Sequence, residues 1–198
     1  MNAKIIDYFH DPSEDRLYDL LYIEGEEIVV MVDWRTENDE IVDDFESRLQ
    51  TGTLSCHTIE SDNDHGFDVV INYKGQQKQV PIETLGTHNR QEVIVILNEL
   101  LLPDYEIRFC IDSMGNDTLA FLPLACQEWK DIESQFGQDN VRKRFYPINA
   151  NSPNMFTDRV YPATFEDGEL VIHQKCSSQN LSSLIQIIPN FIRSIFHL

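Results

Sequence analysis

Basic residues are scarce in this chain: 15 lysines and arginines stand against 34 aspartates and glutamates, a net charge of −19. Such a field repels nucleic-acid phosphates and anionic lipid headgroups and attracts basic proteins. Cysteine is also sparse. Cys56, Cys110, Cys126 and Cys176 are far apart and form no CxxC pair. Zinc is therefore not expected, and the four are read as reduced, mostly buried thiols. Met1 to Tyr8 lacks a basic start followed by an apolar run, so no export signal is read and a cytoplasmic setting is expected. The longest apolar-rich stretch, Leu181 to Leu198, is interrupted by Ser182, Ser183, Gln186, Pro189, Asn190, Arg193 and Ser194, which argues against a membrane span. Catalytic signatures are missing as well. There is no G-x-S-x-G elbow, HExxH, phosphate-binding Walker loop or GxGxxG, and the six histidines never fall at i, i+4 on a predicted helix. Neither an enzyme nor a bound cofactor is expected.

What is present suffices for a core. The 198 residues are 41% hydrophobic and 10% aromatic, and a chain of this length buries roughly 70% of its unfolded surface. A single α+β domain is expected, with a largely antiparallel mixed sheet and helices packed on it. It divides into an acidic helix–strand–helix portion (1–52), a central core of strand meander, helix, hairpin and helix (53–137), and an irregular loop, hairpin or strand and C-terminal helix (138–198).

Asp11-Pro12-Ser13-Glu14 reads as a helix start, with Leu17, Leu20 and Leu21 on its apolar face. Ile28–Val32 is apolar on both faces and predicts an inner strand. Asn38 is the expected cap of a helix ending near Gly52. Thr53–Ile59, Phe67–Tyr73 and Gln79–Ile82 read as a meander with a tight turn around Lys74-Gly75-Gln76. Thr87 or Asn89 caps a helix to about Leu102, whose Val93–Leu97 run is apolar nearly all round and marks it as buried. Tyr105–Ile111 and Thr118–Leu122 form a predicted hairpin around Ser113–Asp117. A helix from about Ala125 to Phe136 follows, with Trp129, Ile132 and Phe136 on one stripe and Gly137 as its stop. Residues 138–165 read as irregular, and Glu169–His173 as a hairpin or strand.

Several clusters invite chemistry. The loop Glu60–Asp68 is rich in carboxylates, but the alternate-ligand register of a calcium loop fails: with Asp62 as position one, position six is Phe67 and position twelve is Tyr73. A solvated turn is the better reading. Cys56 and His57, adjacent on a strand, point to opposite faces and cannot form a nucleophile–base pair, so Cys56 is assigned to the core and His57 to the surface. Arg142-Lys143-Arg144 is read as an internal counter-charge or a solvated corner, because binding DNA needs a net basic surface. Leu181, Leu184, Ile185, Ile188, Ile192, Ile195 and Phe196 share one helical stripe, expected to dock on the core or, alternatively, on a partner.

The charge itself carries the functional expectation. Residues 1–68 hold 19 acidic and 4 basic residues, a net of −15, leaving −4 for the other 130. On the helix from Asn38, Ile41, Phe45 and Leu49 face inward, while Asp39, Glu40, Asp43 and Glu46 fall opposite. With Glu37 and Asp44, and with Asp62 and Asp64 of the next loop, they are the candidate partner-binding residues.

Pro103-Asp104-Tyr105-Glu106-Ile107-Arg108-Phe109 and Ser113 through Asp117-Thr118-Leu119-Ala120-Phe121-Leu122-Pro123-Leu124, with Trp129, resemble a segment of bacterial immunity proteins that neutralise polymorphic toxins delivered between bacteria, including by type VI secretion. The likeness covers about a fifth of the chain and is framework, so no functional residue carries over. It implies a cytoplasmic inhibitor that binds a cognate toxin, expected to be basic, with no nucleic-acid or membrane partner. An acidic adaptor or nucleic-acid mimic, and an enzyme whose site is not legible, stay open beside it.

Overall fold

Leu119-Ala120-Phe121-Leu122 is apolar without a break because the strand that carries it is covered on both sides. Leu119 and Phe121 point into one hydrophobic cluster, Ala120 and Leu122 into a second on the other face, the period-2 alternation of a strand. The computed structural model describes residues 3–21, 28–64, 66–82, 87–114, 117–156, 163–166 and 169–172. In chain order its elements are α1 (Ala3–His10), α2 (Glu14–Leu21), β1 (Val30–Asp33), α3 (Asn38–Leu49), β2 (Ser55–Glu60), β3 (Phe67–Tyr73), β4 (Gln76–Val80), α4 (Thr87–Leu101) and β5 (Tyr105–Cys110). A short 3-10 turn (Ile111–Ser113) precedes β6 (Thr118–Ala125), α5 (Cys126–Phe136), α6 (Gln138–Arg142), β7 (Phe145–Pro147), β8 (Ala163–Glu166) and β9 (Glu169–Ile172).

The fold is α+β. A four-stranded antiparallel sheet in the order β1-β6-β5-β7 forms the middle layer. Against one face pack α3, α4 and a second antiparallel sheet, β2-β3-β4, through Phe45, Ile71, Ile94, Phe109 and Phe121. Against the other pack α1, α2, α5 and α6 through Ile5, Tyr8, Leu20, Trp129 and Val141. β8 and β9 form a separate hairpin. Among the described residues no helix is long and apolar enough to cross a membrane.

The meander, the buried helix α4 and the β5–β6 hairpin follow the expected pattern. Tyr73 pairs with Gln76 across a two-residue turn whose Lys74 and Gly75 have φ of 49° and 77°. A type I′ turn requires positive φ at both positions. Four expectations need correction. β1 is apolar on both faces but stands at the margin of its sheet, paired with β6 alone among the described strands. Helical layers cover both sides of even this marginal strand, so two-sided apolarity did not mean a central position. Residues 138–165, read as irregular, contain α6, β7 and β8; five-, three- and four-residue elements are too short to show a period. Pro147 is tolerated because β7 ends the sheet. Helix α1 was not read from the sequence, although Ile5 and Tyr8 recur at i, i+3 and are fully buried. The cap of α3 is Glu37 rather than Asn38. The apolar stripe of residues 181–198, Cys176 and the whole C-terminal segment lie outside the described residues.

Candidate functional site

Helix α3 begins where Glu37, in extended conformation, donates its backbone N–H to the Glu40 carboxylate at 3.0 Å, half of a reciprocal capping box. It ends at Gln50, which adopts φ 49°, two residues before the predicted stop at Gly52. Ile41, Val42 and Phe45 are fully buried and Leu49 packs at the edge of the same cluster. The inward stripe is thus the one the sequence assigned, and it lays α3 across the face of β2 and β3.

That face has a defined register. Cys56 stands opposite Ile71, Thr58 opposite Val69 and Glu60 opposite Phe67. Phe67, Val69, Ile71 and Tyr73 form one row: the last three are in the core, whereas Phe67 emerges 37% exposed at the strand's end. Between α3 and this row lies a cleft of about 450 Å³ lined by Glu37, Asn38, Asp39, Cys56, His57, Thr58, Phe67 and Val69. Its sheet side mixes Cys56, Phe67 and Val69 with Thr58 and His57, its other wall carries two carboxylates, and none of these residues is a lysine or arginine. The Cys56 Sγ lies 3.9 Å from the Asp39 carbonyl oxygen. Burial, and then the charges of Asp43 and Asp39, push the Cys56 thiol up to about 11. The thiol is therefore neutral at pH 7, the form that is the poorer nucleophile. His57 is exposed, and its Nδ1 is 3.2 Å from the Asn72 side-chain nitrogen. Cys56 is only partly buried, less than a core assignment implies.

The eight candidate acids separate into distinct roles. Glu37, Asp39, Glu40, Asp43 and Asp44 are exposed on α3. Of these, Glu37 and Asp39 enter the cleft, and Asp43 is near enough to raise the Cys56 thiol. Glu40 is held back against the helix start. Glu46 is half-buried and structural: its carboxylate accepts from the Thr51 hydroxyl and the Gly52 N–H, both at 2.6 Å. Glu46 is therefore less open to solvent than its place opposite the inward stripe implies. Asp62 and Asp64 are exposed in the β2–β3 loop, whose shape depends on Asp68. This buried carboxylate accepts from the Ile82 N–H, the Gln79 amide and the Asn63 amide, and those bonds, led by Ile82, hold it below the usual carboxylate range.

Two features of this face were not legible in advance. Phe67 reads as the first residue of a buried row; only the packing of α3 leaves it open. Trp34 is 59% exposed on the turn between β1 and α3, with the Arg35 guanidinium 5.2 Å from its ring centre. The backbone of that turn is tied down: buried Arg90 of α4 donates to the Trp34 and Thr36 carbonyls, and Asp33 accepts from the Arg35 and Thr36 N–H groups.

Two arginines away from the cleft serve inside the protein. Of the Arg142–Arg144 cluster, read as an internal counter-charge or a solvated corner, Arg144 is buried and pairs with Asp112, whereas Arg142 is exposed. Arg108 bonds Glu106 through two nitrogens and Glu133 through a third, with its guanidinium 4.2 Å from the Trp129 ring centre. No group of three or more potential metal ligands occurs among the described residues. No known family model matches the chain, and neither a curated protein nor a solved structure is significantly similar to it.

Proposed function

We propose that this chain is an immunity-type protein that binds a cognate toxin or effector through the acidic face of α3 and the adjoining cleft, and neutralises it by occupancy rather than by catalysis. The observation that carries this reading is the run of exposed carboxylates, Glu37, Asp39, Glu40, Asp43 and Asp44, beside a cleft partly lined by the apolar side chains of Phe67 and Val69. A partly apolar centre beside a charged rim is the anatomy of a protein interface. The segment around residues 103–124, which resembles immunity proteins, adds the class of partner. Helix-dipole and capping effects account for Glu37, Asp39 and Glu40 in part, but not for Asp43 and Asp44, which lie beyond the first turn. A basic toxin domain would be steered by this field to association rates of up to about 10⁸–10⁹ M⁻¹s⁻¹ at low salt.

The test is capture followed by kinetics. The tagged protein is co-expressed with the product of the adjacent gene, and the complex is isolated and assayed for toxicity. The variant Asp39→Lys/Asp43→Lys, with Glu46 left intact, slows association by about tenfold or more at low ionic strength and flattens its salt dependence. Unchanged rates and salt slopes in a variant that melts normally remove α3 from the interface. Capture of a DNA-binding protein instead of the neighbouring product favours a nucleic-acid mimic.

A further inference from the structure

We infer that the cleft between α3 and the β2–β3 pair is a receptor for one arginine or lysine side chain of a protein partner. The inference rests on reading this face as a partner surface and specifies what enters it. Three separate features converge. At about 450 Å³, the cleft is at the small end of ligand sites; it suits a protruding side chain rather than a folded element. Its sheet side offers Val69, Cys56 and the half-exposed ring of Phe67, interspersed with Thr58 and His57, a mixed surface that suits the aliphatic stem Lys and Arg bury while keeping the charged head polar. Its α3 wall presents Glu37 and Asp39, with Asn38 between them and no positive lining residue.

The cationic head fits this wall in two ways. Carboxylates bind a guanidinium through charge-assisted hydrogen bonds, and an aromatic lining residue such as Phe67 attracts a cation that comes to lie over its ring. A purely apolar occupant would leave both carboxylates partly desolvated without a partner, and an acidic one would be repelled. Burial raises the Cys56 thiol most, and the charges of Asp43 and Asp39 raise it further, as expected for a thiol within reach of this acidic wall. Glu60, Asp62 and Asp64 follow on from the Phe67 end and extend the attraction without lining the cleft.

The probes are blocked single amino acids, N-acetyl-arginine methylamide and its uncharged norleucine analogue, titrated into the ¹⁵N-labelled full chain at constant ionic strength. The arginine probe produces saturable amide shifts at Cys56, Thr58, Phe67 and Val69 with millimolar affinity, and norleucine binds at least about fivefold more weakly. Glu37→Gln/Asp39→Asn abolishes the preference for arginine. Phe67→Leu keeps an apolar side chain there, removes the aromatic ring and weakens arginine about twofold or more while leaving norleucine unchanged. Melting curves and spectra of the variants establish that they are folded. Arginine shifts spread evenly over the acidic surface, equal binding of both probes, or no cleft shift at about 20 mM overturn the inference. Arginine binding confined to the cleft, in a protein that captures no toxin, keeps this site and sinks the proposed function instead.

Discussion

The Arg144 guanidinium donates a 2.7 Å hydrogen bond to the hydroxyl of Tyr8, joining side chains 136 positions apart. The Tyr8 hydroxyl in turn donates to Asp112, and Arg144 reaches the same carboxylate at 3.4 Å. The three close a buried polar cluster that ties α1 to the end of β5 and to the α6–β7 connection. Removing Arg144 leaves the Asp112 charge buried without its cation. Arg144→Met therefore destabilises the fold by about 3–5 kcal/mol, and Tyr8→Phe by about 1–3 kcal/mol. Denaturant unfolding with an unchanged m-value checks both; a loss below about 0.5 kcal/mol for Arg144→Met contradicts the assignment.

Burial, outweighing the Tyr8 and Arg144 bonds, raises the Asp112 carboxyl above its ordinary value. A raised folded pKa means that the native state holds the proton more tightly. The stability contributed is fully present below about 3.9 and is lost as pH rises through the folded pKa. Asp33, Asp68 and Asp104 are displaced the other way, chiefly by bonds from the Arg35 N–H, the Ile82 N–H and the Lys74 ammonium respectively. Their contribution is present above about 3.9 and lost on acidification. Asp112→Asn removes only the first effect. The stability of wild type relative to this variant therefore falls as pH rises through the window just above the ordinary carboxylate range. A difference independent of pH from about 3 to 7 refutes the upward shift.

Asp68 organises the β2–β3 loop by gathering donors from three parts of the second sheet. Asp68→Ala frees the Ile82 N–H, lowers the melting temperature and raises hydrogen exchange at Ile82 selectively over Phe121. Equal exchange at Ile82 in wild type and variant excludes this role.

Glu46 and Asp43 lie one turn apart on α3 with different work. Glu46→Gln weakens the bonds to Thr51 and Gly52 and costs about 1 kcal/mol. Asp43→Asn stays within about 0.5 kcal/mol of wild type. Thermal melts of the two single variants decide it, and the reverse order contradicts the division of the acids drawn here.

Trp34 and Trp129 differ in exposure, 59% against 1%. Trp34→Phe therefore removes the readily quenched, red-shifted part of the fluorescence and leaves a blue-shifted emission from Trp129. Because the turn backbone is held by Arg90, the unfolding midpoint changes little. In a complex, loss of acrylamide quenching at Trp34 places the indole in the interface; unaltered quenching excludes it.

Local pattern was enough for much of this protein. The inward stripe Ile41-Phe45-Leu49, the Lys74-Gly75 turn and the all-round apolar run of α4 were legible because periodicity and turn chemistry act over a few residues. Charge density along residues 37–46 was likewise a property of the chain, and the helix wheel placed Asp39 and Asp43 outside. Tertiary structure decided which acids share a face with a cleft, since that depends on α3 crossing the β2–β3 register where Cys56 meets Ile71 and Phe67 runs past the core. It also decided that Glu46 closes a turn, that Asp68 holds a loop and that Arg144 answers Asp112 and Tyr8. The Glu46 bonds span only five and six residues but depend on how the chain leaves α3, whereas Arg144 and Tyr8 are 136 positions apart and only packing makes them neighbours.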